Sequence, residues 1–182
     1  MREPRVRGFT LVEVLAAVAI LTAALLSLAP LLGAALKASR EAERATVASA
    51  LAVERIEQLR SLAWGFDEDG QPAGDTTTDL SGPQPSGAGT GLAASPPGTL
   101  DRDVPGFVDY LAGDGRWLGR GSRPPPGTAY VRRWAVVPLA ADPDNGRVLE
   151  VVVLPAAGTR EPDPAARAAG TRLVSLKVRA MG

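Results

Sequence analysis

The sequence predicts an α+β fold: a long N-terminal α-helix, half membrane-spanning and half amphipathic, packed on a C-terminal antiparallel β-sheet, with a long Gly/Pro-rich loop between them. Three observations predict it. Residues 9–36 carry a single charge, Glu13, in an otherwise apolar run. Residues 37–64 then place apolar side chains three and four apart, the period of an amphipathic helix. From residue 128 onward, valine-rich segments separated by turn residues have the composition of strands.

Composition narrows what such a chain can do. Its 182 residues suffice for one modest domain plus an extended element. Formal net charge is zero, and Arg2, Arg5 and Arg7 stand against Glu3 in the first eight residues, so the remainder is slightly acidic. A nucleic-acid binder relying on bulk charge is therefore disfavoured, because phosphate neutralisation requires a basic surface. With no cysteine and no histidine, thiol nucleophiles, disulfide scaffolds, the usual zinc ligand sets and the Ser-His-Asp triad are absent. No catalytic constellation stands out, and the expectation is a non-enzymatic protein with no cofactor and no metal.

The first element follows from the leader. Residues 1–8 are short and arginine-rich, and residues 14–36 form an uncharged stretch of 23. As a helix that stretch is about 35 Å long at 1.5 Å per residue, enough to cross a hydrocarbon core of about 30 Å. Arginines before it place the N-terminus in the cytoplasm and the rest of the chain outside. Leu32, Gly33, Ala34 and Ala35 also suit a signal-peptidase site, but the run exceeds the usual apolar region of a signal peptide and continues directly into a charged helix. A plain single-pass anchor accounts for the length and leaves Glu13 unexplained. A carboxylate within a spanning segment costs roughly 2.5–3.5 kcal/mol at the helix centre and less near the interface, so Glu13 calls for a function.

Arg7, Gly8, Phe9, Thr10, Leu11, Val12, Glu13, Val14 and Leu15 together resemble the class III signal of the type IV pilin and type II secretion pseudopilin superfamily. The resemblance implies cleavage after Gly8 by a membrane-embedded prepilin peptidase on the cytoplasmic side, and N-methylation of the new terminus at Phe9. It also implies that Glu13, fifth in the mature chain, pairs with the terminal ammonium of a neighbouring subunit during filament assembly. Elementary chemistry is consistent with this, since a carboxylate in the first helical turn is favoured by the helix dipole by roughly 0.3–1 kcal/mol. The implied fold is pilin-like.

Pro30 lies inside the apolar run, where it removes a backbone hydrogen bond and predicts a helix kink or a locally melted segment. Related pilins often carry a proline at this place. In the amphipathic half, Ala45, Ala48, Ala52, Ile56, Leu59 and Ala63 form the expected packing stripe, with Arg40, Glu41, Arg44, Glu54, Arg55, Glu57 and Arg60 mostly off it. The run from Val53 to Arg60 resembles the helix end of V-type minor pilins and I-type pseudopilins.

Residues 65–127 are about one-third Gly plus Pro, which predicts sparse regular structure. Asp67, Glu68, Asp69 and Asp75 form the one dense acidic cluster. They lack EF-hand spacing and read as a solvated turn, although some pseudopilins bind calcium through loop carboxylates. Residues 106–111 and 116–118 suit a short hairpin about Gly113, Asp114 and Gly115. Residues 128–139 and 147–154 form a second hairpin, with its reversal at Asp142, Pro143, Asp144, Asn145 and Gly146. Residues 172–179 add a third strand, whose Val174, Leu176 and Val178 are expected to face the helix. Arg132, Arg133 and Arg147 near Tyr130 and Trp134 raise a DNA-binding surface, or equally the outer face of the sheet.

The domain reading is therefore a cleaved leader at 1–8, an assembly half of the helix at 9–36, its amphipathic half at 37–64, a variable loop at 65–127 and the sheet at 128–182. The expected function is that of a structural minor pilin or pseudopilin, incorporated into or priming a type IV pilus or a type II secretion pseudopilus. The alternative is a membrane-anchored periplasmic binding module, for instance a DNA-uptake protein, that does not polymerise. Implied partners are the prepilin peptidase, other pilin subunits, inner-membrane lipid before assembly, and DNA in the alternative reading. The implied location is the bacterial inner membrane, single-pass with the C-terminal domain periplasmic, and then the filament.

Overall fold

A computed structural model describes residues 10–76, 78, 80, 91–156 and 170–179, apart from the side chain of Ala29. Helix α1 runs over Leu11–Ser61. At 51 residues it is about 76 Å long. Seven strands follow: β1 Gly65–Phe66, β2 Pro72–Ala73, β3 Val108–Leu111, β4 Trp117–Arg120, β5 Tyr130–Leu139, β6 Asp142–Pro155 and β7 Thr171–Val178. β1 and β2 form a two-stranded ribbon, and the other five make an antiparallel sheet in the order β4-β3-β5-β6-β7. The chain is α+β, one long helix packed against an antiparallel sheet.

The chain divides into two compact units, residues 1–43 and residues 44–182. In the first, α1 presents Leu, Val and Ile side chains all round, and they are exposed from Leu11 to Leu36. This stretch is long and apolar enough to cross a membrane. In the second, the later turns of α1 bury Ala48, Leu51, Ala52, Ile56 and Leu59 against Tyr130, Trp134 and Val136 of β5 and Leu149, Val151 and Val153 of β6. Small alanines admit the helix close to the sheet, and the β-branched valines suit the pleat facing it.

Four elements differ from the sequence expectation. The packing stripe includes Leu51 and Arg55, whereas Ala45 and Ala63 are exposed. The sheet begins upstream of residue 128, because β3 of the anticipated β3–β4 hairpin pairs directly with β5 and β4 becomes the edge strand. The β5–β6 reversal occurs at Ala140 and Ala141, not at the Asn-Gly step. Pro138 pairs with Arg147 and Leu139 with Asp142, so residues 143–146 bulge out of β6 instead of turning it. Gly146 is needed there because a Cβ would lie 2.7 Å from Leu139 Cβ.

The fourth difference is β7, which is inverted. Leu173 packs on the core, while Val174, Leu176 and Val178 face away from the helix. The cause is polar. Lys177 Nζ donates to the carbonyls of Arg60 and Leu62 at the helix C-terminus. Those carbonyls lack intrahelical partners and carry the negative end of the dipole. Satisfying the helix end places Leu173, Ser175 and Lys177 inward and leaves the more apolar set outside.

Candidate functional site

Thr10 precedes the first turn of α1 and caps it. The Glu13 amide donates to Thr10 Oγ1 at 3.3 Å and to Thr10 O at 3.1 Å. Glu13 is thus the third helical residue, in the Thr-x-x-Glu arrangement of a capping box, with its carboxylate near the positive end of the dipole. Its neighbours Leu11, Val12, Val14 and Leu15 are exposed, so an acidic group stands on an apolar cylinder. Among the described residues no ion pair engages it. The predicted cleavage and methylation positions, Gly8 and Phe9, lie outside the described residues. Pro30 lies inside α1, which is helical on both sides of it.

The second unit holds two charge clusters, one around a fully buried carboxylate and one whose central carboxylate is partly exposed. In the first, Asp109 of β3 lies opposite Arg132 of β5. Arg132 is bidentate to it, Nε to Oδ1 at 3.1 Å and Nη2 to Oδ2 at 2.9 Å, and its Nη1 reaches Leu51 O at 2.9 Å and Glu54 Oε2 at 3.1 Å. Arg55 of α1 donates to the same Asp109 and to Leu80 O, with its guanidinium 4.3 Å from the Trp134 ring centroid. Burial lowers the Arg55 pKa to about 10, still charged at neutral pH. For Arg132 burial works in the same direction but is outweighed by Asp109 and Glu54, and its pKa is raised.

In the second cluster, Asp75 accepts from Trp64 Nε1 at 3.0 Å, Arg147 Nη2 at 3.1 Å and Arg179 Nη2 at 2.8 Å. The two guanidiniums lie 4.6 and 4.4 Å from the Trp64 ring centroid. Burial pushes the Asp75 carboxyl up, but hydrogen bonds from Trp64 and Arg179, together with the Arg179 and Arg147 charges, hold it below its ordinary value. Arg179 Nη1 also donates to Gly65 O and Ala73 O, so this cluster ties the β1–β2 ribbon to the end of β7.

These clusters correct the basic-aromatic surface anticipated around β5. Tyr130, Trp134, Arg132 and Arg147 are buried, and Arg133 is held by Asp103 and Leu100 O. They do not form a stacking platform. The acidic loop is a turn in which Asp67 Oδ1 accepts from the amides of Asp69 and Gln71, while Asp75 belongs to the arginine cluster. Among the described residues no group of carboxylates could hold a metal ion. Tyr110 is hydrogen-bonded to Asp103 and Gly121 O. Burial, then Asp103, raises its pKa.

Sequence reasoning missed Asp109 and the burial of Arg55. Both left a signal. Asp109 interrupts the apolar run of Phe107, Val108, Tyr110 and Leu111, and Arg55 falls four residues after Leu51 and four before Leu59. A charge at a core position implies a buried partner.

A family model described as the prokaryotic N-terminal methylation motif matches residues 4–29. No curated protein and no solved structure matches the chain. The match spans the second half of the basic leader with Arg5 and Arg7, Gly8, Phe9, the capped turn holding Glu13 and most of the apolar run. This apolar helix and the motif fit an inner-membrane-anchored protein. The chain carries the type IV pilin and pseudopilin signature, the mark of a type IV pilin-like protein processed by prepilin peptidase and assembled with other pilin subunits.

Proposed function

We propose that the protein is a structural, non-catalytic minor pilin or pseudopilin that enters or primes a type IV pilus or a type II secretion pseudopilus through the first half of α1. The carrying observation is Glu13, the one charge on an exposed apolar helix, held in its capped first turn within the matched motif. Cleavage after Gly8 creates an ammonium at Phe9 one turn away. In a filament that ammonium pairs with Glu13 of a neighbouring subunit, and the exposed Leu, Val and Ile surface exchanges lipid for other helices. A buried pair of this kind specifies register more than it adds stability. The N-terminus starts in the cytoplasm, and the second unit is periplasmic. The sizeable sheet and long Gly/Pro-rich loops favour the minor-pilin side over the small head of I-type pseudopilins.

The test combines mass spectrometry of the mature N-terminus with co-assembly of Glu13→Val. A terminus at methylated Phe9, together with a variant that inserts and is processed but stays out of the filament, is the expected result. An intact Met1 in cells, or normal co-assembly of Glu13→Val, refutes the proposal.

A further inference from the structure

Asp75 differs from Asp109 in being within reach of water. Its side chain is 42% exposed, whereas those of Arg147 and Arg179, which it holds together, are 9% and 3% exposed. Among the described residues, Asp75 carries the one carboxylate that pairs with either guanidinium. Both cations lie against the ring of Trp64, so an ionised Asp75 is what lets two like charges share one aromatic side chain.

The same cluster fastens a weakly attached element. β1 and β2 are two residues each and pair with one another, outside the five-stranded ladder. Arg179 Nη1 ties them to the end of β7 by donating to Gly65 O at 3.0 Å and to Ala73 O at 3.1 Å. Asp75, two residues beyond β2, ties them to β6 through Arg147. Leu92 and Ala93 hang on the same stretch, their amides donating to Gly74 O at 2.8 Å and to Thr76 O at 3.1 Å.

A neutral Asp75 would leave two enclosed guanidiniums beside one ring with no opposing charge, and buried charge without a partner is costly. One of them must then gain water. Arg147 lies inside the ladder, opposite Pro138 of β5 and Lys177 of β7, and is fixed there. Arg179 follows the last residue of β7, and the ribbon it grips has no ladder to the sheet. The weaker side is therefore the ribbon. We propose that Asp75 is an acid-released latch: ionised, it holds residues 64–76 on the sheet, and neutral, it lets them open as a unit while the five-stranded sheet stays folded.

The neighbouring charges do not replace it. Lys177 of β7 is engaged by the carbonyls of Arg60 and Leu62, and Asp67 of the ribbon turn by the amides of Asp69 and Gln71. Burial raises the Asp75 carboxyl, but Trp64, Arg179 and Arg147 hold it below its ordinary value. The latch is thus closed above the ordinary carboxylate range and opens as pH falls through the lowered folded value. This concerns the second unit and does not depend on polymerisation through α1.

Hydrogen exchange of the full chain in detergent micelles, corrected for the intrinsic effect of pH, tests this at about pH 7 and about pH 3, with Asp75→Asn as a permanently neutral latch. In the unaltered chain, the amides of Leu92 and Ala93, whose acceptors lie in the released stretch, should exchange at least about tenfold faster in acid, before those of β5 and β6. Asp75→Asn should show that acceleration already at about pH 7, and acid should add nothing further at those two amides. Exchange of Leu92 and Ala93 at the unaltered rate in the variant overturns the proposal, as does loss of β5 and β6 protection together with theirs. An equal response to acid in both chains overturns it too, since another carboxylate would then be the latch. If the variant does not fold, the order of opening in the unaltered chain decides the matter.

Discussion

At the scale of the residue, a charge on an apolar surface and a charge inside the core do different work in this chain. Glu13 is exposed on α1 with no ion-pair partner among the described residues, so its value lies in what it meets next. Asp109 is fully buried and shared by Arg55 and Arg132. Two guanidiniums drawn from water need the carboxylate between them. Its removal leaves uncompensated buried charge, which typically costs about 3–5 kcal/mol. Asp109→Ala should lose that much stability in urea unfolding, with the slope unchanged if only the native state is affected. A loss below about 1 kcal/mol would mean that water reaches the cluster and screens it. Among the described residues, Arg55 Nε, Trp117 Nε1 and Trp134 Nε1 are buried without a hydrogen-bond partner, so in this core packing overrides polar satisfaction.

At the scale of the element, what could be read from sequence was whatever a local period or a local charge determines. The long helix, its amphipathic second half, the Gly113–Gly115 hairpin and the β5–β6 pairing all follow from short-range patterns. The reversal at Ala140 and Ala141 did not, because the strong Asn-Gly turn signal is absorbed in a bulge that feeds both β5 and β7. Nor did the orientation of β7. Counting apolar residues favoured Val174, Leu176 and Val178 as the inner set, but the helix C-terminus required Lys177 and β1–β2 required Arg179. Such demands come from residues over a hundred positions away and leave no mark in the strand itself. The orientation can be checked directly. Leu173→Ala removes a side chain packed on the core and should cost about 1–3 kcal/mol, less than a fully buried leucine because the site is only half-buried. Leu176→Ser changes an exposed residue and should stay within about 0.5 kcal/mol. The opposite ranking, read from thermal or urea unfolding, would restore the pattern expected from sequence.

At the scale of the whole molecule, the two units divide anchoring from folding. Among the described residues, every buried hydrophobic core residue, from Ala48 to Val153, lies in residues 44–182, whereas the most apolar stretch of the helix buries nothing within it. Hydrophobic stabilisation scales with area removed from water, so residues 1–43 add little to the stability of the second unit. They hold instead about 25 residues of helix whose apolar surface needs lipid or other helices around it. A chain lacking residues 1–43 should therefore remain soluble without detergent and unfold in a single cooperative transition, its stability within about 0.5 kcal/mol of the full chain in micelles. It should also lose membrane association entirely. If the shortened chain unfolded gradually or much earlier, the first half of α1 would be contributing to the fold as well as to anchoring. Defects at Glu13 could then reach the filament through an unstable head. If the transition is preserved, a Glu13 variant that fails to assemble does so with an intact head, and the failure belongs to the helix alone.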